Sequence, residues 1–275
     1  MRRLAALIGS PVEHSLSPVI HQAAFDAGGV DWTYVAFDVA GGGGVAVLDA
    51  MRVLGIAGLS ITRPHKRDVA AAVDRLEPAA RALQSVNTVS WDGDQLVGSS
   101  TDGEGFVASL AEVGIDVADA RVAVIGAGGA ARSVIDALGR AGSNDIRVLN
   151  RTRVNAESAA MLASVASVGI AGDISCADIV VNATNVGMGV DVVRATSDDL
   201  PCDPALLRAE QVVVDLVYHP LRTAWLAAAD ALGARTVDGL GMLIHQAALQ
   251  QERWIGVLAD TKVMRTAAEA ALADR

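Results

Sequence analysis

At 275 residues and 28.2 kDa, with hydrophobic side chains making up 52% of the total, the chain can bury a large core and form two domains sharing one cleft. A net charge of −10 and a pI near 4.9 repel phosphate backbones and anionic membranes, and 3% aromatics leave no stacking platform for single-stranded nucleic acid. An anionic ligand must therefore be met by local donors. No nucleic-acid or membrane partner is expected.

Met1-Arg2-Arg3 followed by Leu4–Ile8 has the outline of a signal peptide, but Ser10-Pro11 stops the apolar run early and a first β-strand fits better. No charge-free apolar stretch reaches membrane-spanning length, so a soluble cytoplasmic protein is expected, as a monomer or homodimer. Ser17 reads as a helix cap with Pro18 at the first helical position, and Gly28-Gly29 closes that helix. Trp32–Val39 and Ile56–Ile61 read as further strands, and Gly41–Gly44 between them as a flexible loop without a phosphate-loop lysine. Thr88–Trp91 and Gln95–Val97 form a predicted hairpin through Asp92-Gly93-Asp94. Thr101 or Asp102 starts a helix that runs to about Val113 and ends at Gly114.

Arg121–Ile125 opens a second series of strands, with Ile146–Leu149, Ile179–Val181, Val212–Leu216 and Arg235–Val237, separated by helices. The alternation predicts an α/β architecture with largely parallel sheets. From Gly239 the pattern is helical throughout. These last helices have no strands of their own to cover and are expected to pack back across both domains, completing the first. Cys176 and Cys202 match neither a disulfide framework nor a metal-ligand spacing, and no metal is expected.

The buried-strand pattern of Arg121–Ile125 runs into Gly126-Ala127-Gly128-Gly129-Ala130-Ala131 and then a helix over Arg132–Gly139. This is the G-x-G-x-x-A fingerprint in the strand–turn–helix setting that gives it meaning. Gly126 permits the turn, Gly128 admits a pyrophosphate against bare backbone, and Ala131 lets helix and strand pack closely. The next strand ends before Asn150-Arg151-Thr152-Arg153, where an NAD site places an acidic residue. Arginine there suits a 2′-phosphate and the adenine face, with Arg151 the principal contact and Arg153 its helper. The cofactor is therefore NADP.

Lys66 closes the run Gly58-Leu59-Ser60-Ile61-Thr62-Arg63-Pro64-His65-Lys66, and Asp102 lies 36 residues later in Thr101-Asp102-Gly103. A lysine at a helix start is disfavoured by the helix dipole, which points to a purpose. A lysine and an aspartate held together can pass a proton to or from a reacting oxygen. Proton transfer beside a dinucleotide implies carbonyl reduction. In His14-Ser15-Leu16-Ser17-Pro18, two hydroxyls at a helix start can both cap and hold a carboxylate.

Nine ordered segments carry a resemblance to the shikimate dehydrogenase family along nearly the whole chain. They are Gly9–Pro18, Ile61–Lys66, Val86–Thr88, Thr101–Gly103, Gly126–Ala131, Asn150–Thr152, Asn182–Thr184, Asp215–Tyr218 and Gly239–Gln246. The resemblance implies a substrate-binding and catalytic domain at 1–103, completed by helices at 240–275, and a Rossmann-type NADP domain at 104–239. It implies reversible NADPH-dependent reduction of 3-dehydroshikimate to shikimate, on the way to chorismate and the aromatic amino acids. Ser15 and Ser17 would hold the substrate carboxylate. Thr62, Asn87, Asp102 and Gln246 would bind ring hydroxyls, Tyr218 would line the same pocket, and Lys66 with Asp102 would be the acid/base pair. Leu216 and Gly239 match positions near the nicotinamide.

Ser60 and Ser100 stand where the family commonly has Asn, Gln84-Ser85 where Gly-Ala is frequent, and Asn185 where Ser is common. These departures bear on pocket detail and substrate preference more than on reaction class. Two other readings remain. A quinate/shikimate dehydrogenase using NAD is opposed by Arg151. An idle dinucleotide-binding regulator is opposed by the intact dyad and serines.

Overall fold

A computed structural model describes residues 2–274. In chain order, β1 (Arg3–Gly9), α1 (Ser17–Ala27), β2 (Trp32–Asp38), α2 (Gly44–Leu54), β3 (Gly58–Ile61), α3 (Lys66–Ala72), β4 (Arg75–Leu76), α4 (Pro78–Leu83), β5 (Thr88–Asp92) and β6 (Gln95–Ser99) lead to α5 (Asp102–Glu112). There follow β7 (Arg121–Ile125), α6 (Gly129–Arg140), β8 (Asp145–Leu149), α7 (Arg153–Ala160), β9 (Ala166–Val168), β10 (Ile179–Asn182), β11 (Val212–Asp215), α8 (Ala224–Ala231) and β12 (Arg235–Val237). The last helices are α9 (Leu240–Ile255) and α10 (Thr261–Ala273). Among the described residues no helix is long and apolar enough to cross a membrane.

The chain divides into two units. The first runs to Gly105 and resumes at Ile244, and the second spans Phe106–Leu243. The breaks between the units fall at 105/106 and 243/244, inside α5 and α9. From Ile244 onward the C-terminal helices belong to the first unit, where α10 packs on α1.

The sheet of the first unit has the order β2-β1-β3-β5-β6-β4 and is mixed: β1 is parallel to β2 and β3, whereas β5 is antiparallel to β3 and β6. The reversal comes from the β5–β6 hairpin, which pairs Asp92 with Gln95 and turns through Gly93 at φ +62°. Ala6, Ile8, Leu59, Ile61, Val86 and Val89 bury one face of this sheet with Leu48 and Met51 of α2. Two expectations for this unit need correction. Ser17 does not cap α1 but is its first residue, after Leu16, and Ser15 Oγ accepts from the Ser17 amide at 3.2 Å. Gly44 is not loop but the first residue of α2, where its bare Cα lies against the ring of His65.

A buried polar cluster joins α9 to this unit. The His21 ring is fully buried and stacks on Tyr34 with centroids 4.3 Å apart and planes 10° apart. Its Nε2 faces Gln250 Oε1 and its Nδ1 faces Gln251 Nε2, both at 3.1 Å. Tyr34 Oη donates to Ser60 Oγ, and Ser60 donates to the same Gln250 oxygen, both at 2.7 Å. Gln250 Nε2 donates to the Asn87 carbonyl at 3.1 Å. That last bond sets all the others. A carbonyl only accepts, so the Gln250 amide has one possible orientation, and Ser60 and His21 Nε2 must then both donate to its oxygen. His21 is therefore the neutral Nε2–H tautomer, with Nδ1 left to accept from Gln251.

The second unit carries a parallel sheet ordered β12-β11-β10-β7-β8-β9. Taken from β7, this is the order of the doubly wound dinucleotide fold, with its switch point between β7 and β10. Buried on both faces, the strands read as near-continuous Val and Ile runs, packed on one side by Val134, Ile135 and Leu138 of α6 and on the other by Trp225 and Leu226 of α8.

The His21 cluster yields a prediction. Burial pushes the imidazole down to about 3 against the opposing pull of its bond to Gln250, whereas an unfolded chain takes up the proton near 6.5. The stability this group contributes is full above pH 6.5 and is lost as pH falls towards 3. The urea midpoint of the wild type is expected to drop through that window, and His21→Gln to flatten the dependence. Parallel slopes in the two proteins would show that other groups govern acid unfolding.

Candidate active site

Lys66 is the first residue of α3 and Asp102 the first of α5, so two helix starts in the first unit present the two charges. Lys66 Nζ donates to Asp102 Oδ2 at 2.6 Å, with the lysine and aspartate side chains 27% and 15% exposed. At the N-terminus of α5 the carboxylate is favoured by the helix dipole, and it in turn offsets the cost of an ammonium at the start of α3. The other carboxylate oxygen, Oδ1, accepts from Asn87 Nδ2 at 2.7 Å. Both oxygens of Asp102 are thus held, which fixes where Lys66 carries its protons.

Asn87 is itself locked. Its Oδ1 accepts from the Thr101 amide at 2.9 Å and from Thr88 Oγ1 at 2.8 Å, so its Nδ2 must face Asp102. Nδ2 also lies 2.9 Å from Thr101 Oγ1 and 3.4 Å from Gln246 Oε1, while Thr101 Oγ1 donates to the Gln246 carbonyl at 3.0 Å. Lys66, Asn87, Thr101, Asp102 and Gln246 therefore form one bonded constellation drawn from four segments distant in sequence. Thr62 precedes α3 in the same unit, its amide bonded to the Ile8 carbonyl at 2.9 Å. Ser17 is buried at the start of α1 in the same unit, where the Tyr34 oxygen leads through Ser60 and Gln250 to Asn87.

Tyr34 and Gln250 were absent from the sequence-derived set. Gln250 had a signal, standing four residues after Gln246 on a helix of otherwise apolar face, so that the two amides share one side. Tyr34, one aromatic in a strand, had none.

The dinucleotide fingerprint lies in the second unit. Gly126 leaves β7 at φ +119°, and a Cβ there would stand 2.9 Å from the Ala183 carbonyl oxygen, so only glycine serves. Ala127 follows in the turn, Gly128 precedes α6, and Gly129, Ala130 and Ala131 form its first turn. Nothing approaches within 4 Å of where a Cβ would sit on Gly128 or Gly129, which leaves the first-turn amides of α6 open to an anion. Ala131 is buried against the sheet.

After β8, Asn150 Nδ2 donates to the Thr152 carbonyl at 2.9 Å and shapes the bend that presents Arg151. Arg151 is exposed and has no ion-pair partner among the described residues, whereas Arg153 is engaged with Glu157 at 2.8 Å. Gly239 follows β12, where a Cβ would stand 2.3 Å from the Leu216 carbonyl oxygen; the two positions are therefore in backbone contact. Tyr218 lies two residues beyond Leu216, partly buried within the second unit. Exposed residues at the start of α6, an arginine with no ion-pair partner among the described residues and no acidic residue directly after β8 fit a dinucleotide bearing a 2′-phosphate.

Three family descriptions match the chain: "Shikimate dehydrogenase substrate binding domain" over residues 7–89, "Shikimate / quinate 5-dehydrogenase" over 109–192 and "Shikimate 5'-dehydrogenase C-terminal domain" over 239–269. A shikimate dehydrogenase (NADP(+)) of Moorella thermoacetica is 40% identical over 272 residues, covering 95% of this chain and 90% of its own. The crystal structure of a shikimate dehydrogenase in complex with NADP+ superposes with a TM-score of 0.92 at 36% identity, covering 98% of this chain and 96% of its own. Shikimate 5-dehydrogenase from Thermus thermophilus, in complex with NADP(H) and shikimate, gives 0.89 at 35% identity, with 98% and 99% covered. From residue 7 to residue 269, the chain belongs to the shikimate dehydrogenase family.

Proposed function

We propose that this protein is an NADP-dependent oxidoreductase that interconverts 3-dehydroshikimate and shikimate in the cytoplasm, as a step of aromatic amino-acid biosynthesis. The observation that carries the reading is the 2.6 Å contact between Lys66 and Asp102, built into the unit that holds Asn87, Gln246 and the serines of α1. The open amides of α6 with Arg151 support NADP as cofactor. When bound, NADPH supplies the hydride.

The chain's own part is to hold the acid and manage the proton. During reduction, negative charge grows on the carbonyl oxygen of the substrate. Lys66, charged and fixed by Asp102, stabilises that charge and gives up a proton from Nζ to the oxygen. In the oxidative direction the same amine takes the proton back. Asp102 orients Lys66 through Oδ2 and has lone-pair capacity left for a substrate hydroxyl. Asn87 and Gln246 add polar contacts to the ring hydroxyls with Thr62, and Ser15 and Ser17 hold the carboxylate at the start of α1. Leu216 and Gly239 serve the nicotinamide end in the second unit, and Tyr218 keeps the substrate-lining role that the family resemblance gives it.

Absorbance of the reduced nicotinamide with shikimate or quinate, each with NADP or NAD, tests the reading directly. Turnover is expected chiefly with shikimate and NADP. Dominant quinate turnover with NAD would favour the quinate enzyme, and no turnover in any combination would leave a binding protein.

Two variants probe the assigned roles. Lys66→Ala is expected to lower kcat by roughly 10²–10⁴-fold with KM changed much less, while Asp102→Ala impairs both constants. Near wild-type kcat in Lys66→Ala at every pH would mean the proton takes another route. Arg151→Ala is expected to weaken NADP far more than NAD, since a lost charge-assisted bond costs about 1.5–3 kcal/mol and only NADP has the phosphate. Equal losses for both cofactors would assign Arg151 to the adenine or to the fold.

A further inference from the structure

The second unit buries a carboxylate that the proposed chemistry does not use. Asp215, the last residue of β11, is fully buried, yet it has no cationic partner among the described residues: its three bonded neighbours are neutral donors. Asn182 Nδ2 donates to Oδ1 at 2.9 Å, the Val217 amide donates to the same oxygen at 3.0 Å, and Thr223 Oγ1 donates to Oδ2 at 2.7 Å. The three come from separate places. Asn182 ends β10, Val217 lies beyond the Leu216 peptide, and Thr223 caps α8 by accepting from the Leu226 amide at 3.2 Å.

One carboxylate thus ties the ends of two strands to the start of a helix, along the carboxyl edge of a parallel sheet. That edge is where a doubly wound sheet receives a dinucleotide. The peptide it pins is also the one that Gly239 admits on its other side, against the Leu216 carbonyl.

We propose that Asp215 is a positioning residue for the cofactor: its ionised carboxylate sets the path of Leu216 and Val217, and through them the seat of the nicotinamide end. The inference rests on the reading that this unit binds NADP. The ionised group accepts from all three donors and brings no proton of its own to place. A proton on Oδ2 would reverse the bond to Thr223 and leave the Thr223 hydroxyl without its acceptor.

The fold holds this charge against its own stability. Burial pushes the carboxyl up to about 6 from its ordinary 3.8, the bonds from Thr223, Val217 and Asn182 pulling it back part of the way. Folding therefore favours the protonated form. The stability it contributes is present below about pH 4 and is lost as pH rises through 6. The surrounding elements carry His219 and Arg222 before α8, Asp230 on it and Asp238 after β12. Arg222 pairs with Asp230 at 2.8 Å, Asp238 accepts from the Leu240 amide at 3.0 Å, and none of the four bonds Asp215.

The test is calorimetric titration of NADP into the full chain without substrate, beside thermal unfolding of the ligand-free protein. At pH 8, Asp215→Asn is expected to unfold no lower than wild type, to bind NADP at least tenfold more weakly, and to keep its KM for shikimate within twofold. The affinity gap between the two proteins is expected to close as pH falls through about 6, and taking their ratio removes any titration of the ligand itself. Thr223→Val, which removes one donor, should weaken NADP in the same sense and Thr223→Ser should restore it; this pair carries the test should Asp215→Asn fail to fold. Unaltered NADP binding in Asp215→Asn or in Thr223→Val would overturn the inference, as would a lowered unfolding temperature with equal losses for both ligands. Failure of the wild type to bind NADP would instead overturn the functional reading on which it stands.

Discussion

Asn87 is the residue on which the first unit turns, because its two polar groups face two different demands. Its side-chain amide holds Asp102 in place for Lys66, and its backbone carbonyl accepts from Gln250 and from the Ile61 amide. Since the carbonyl cannot donate, every hydrogen bond outward from it has an imposed direction, as far as the Tyr34 hydroxyl and the Nδ1 of His21. A network with one allowed proton arrangement is rigid in a way that an apolar core is not. Shifting any member leaves a buried donor or acceptor unmatched, at about 1–3 kcal/mol each. The acid of the proposed reaction therefore sits at the end of a frame whose geometry is over-determined, which suits a group that must meet a substrate oxygen within a few tenths of an ångström.

The second unit solves a different problem. A chain with a net charge of −10 must hold a strongly anionic cofactor, and it does so with few full charges. In the proposed reading, backbone amides at the start of α6 offer partial positive charge to a pyrophosphate, and Arg151 offers one localised cation with no ion-pair partner among the described residues. Many of the remaining cations are neutralised at short range: Arg121 by Asp178 at 2.6 Å, Arg147 by Asp145 at 2.9 Å and Arg153 by Glu157 at 2.8 Å.

What could be read in advance divides by the range of the interactions involved. The β7–turn–α6 fingerprint was legible because turn, close approach and helix start all fall within a dozen residues, each requiring a small side chain. Lys66 and Asp102 were legible because each stands in a distinctive segment, although nothing local says that they touch. Short elements such as β4 and β9 escaped, since two or three residues show no periodicity. Ser17 was misread as a cap because Ser, Ser and Pro compete for the same few positions, and only the backbone decides which hydroxyl meets the amide. Tyr34, Gln250 and Asp215 carry no role in the sequence reading: each makes a hydrogen bond to a residue far along the chain, 26, 163 and 33 positions away, and apart from the spacing of Gln250 from Gln246 such pairings leave no mark on neighbouring sequence.

The bond between His21 and Gln250 spans 229 positions, and the whole of the second unit lies between its partners. During synthesis at about 5–20 residues per second, His21 leaves the ribosome on the order of ten to forty seconds before Gln250 exists. Through that interval the ring of His21 and the Ser60 hydroxyl lack the glutamine groups that later meet them, while the second unit is contiguous in sequence and emerges whole before Gln250. The chain is thus arranged so that its cofactor half can form first, and the half carrying the acid closes only when its last helices emerge.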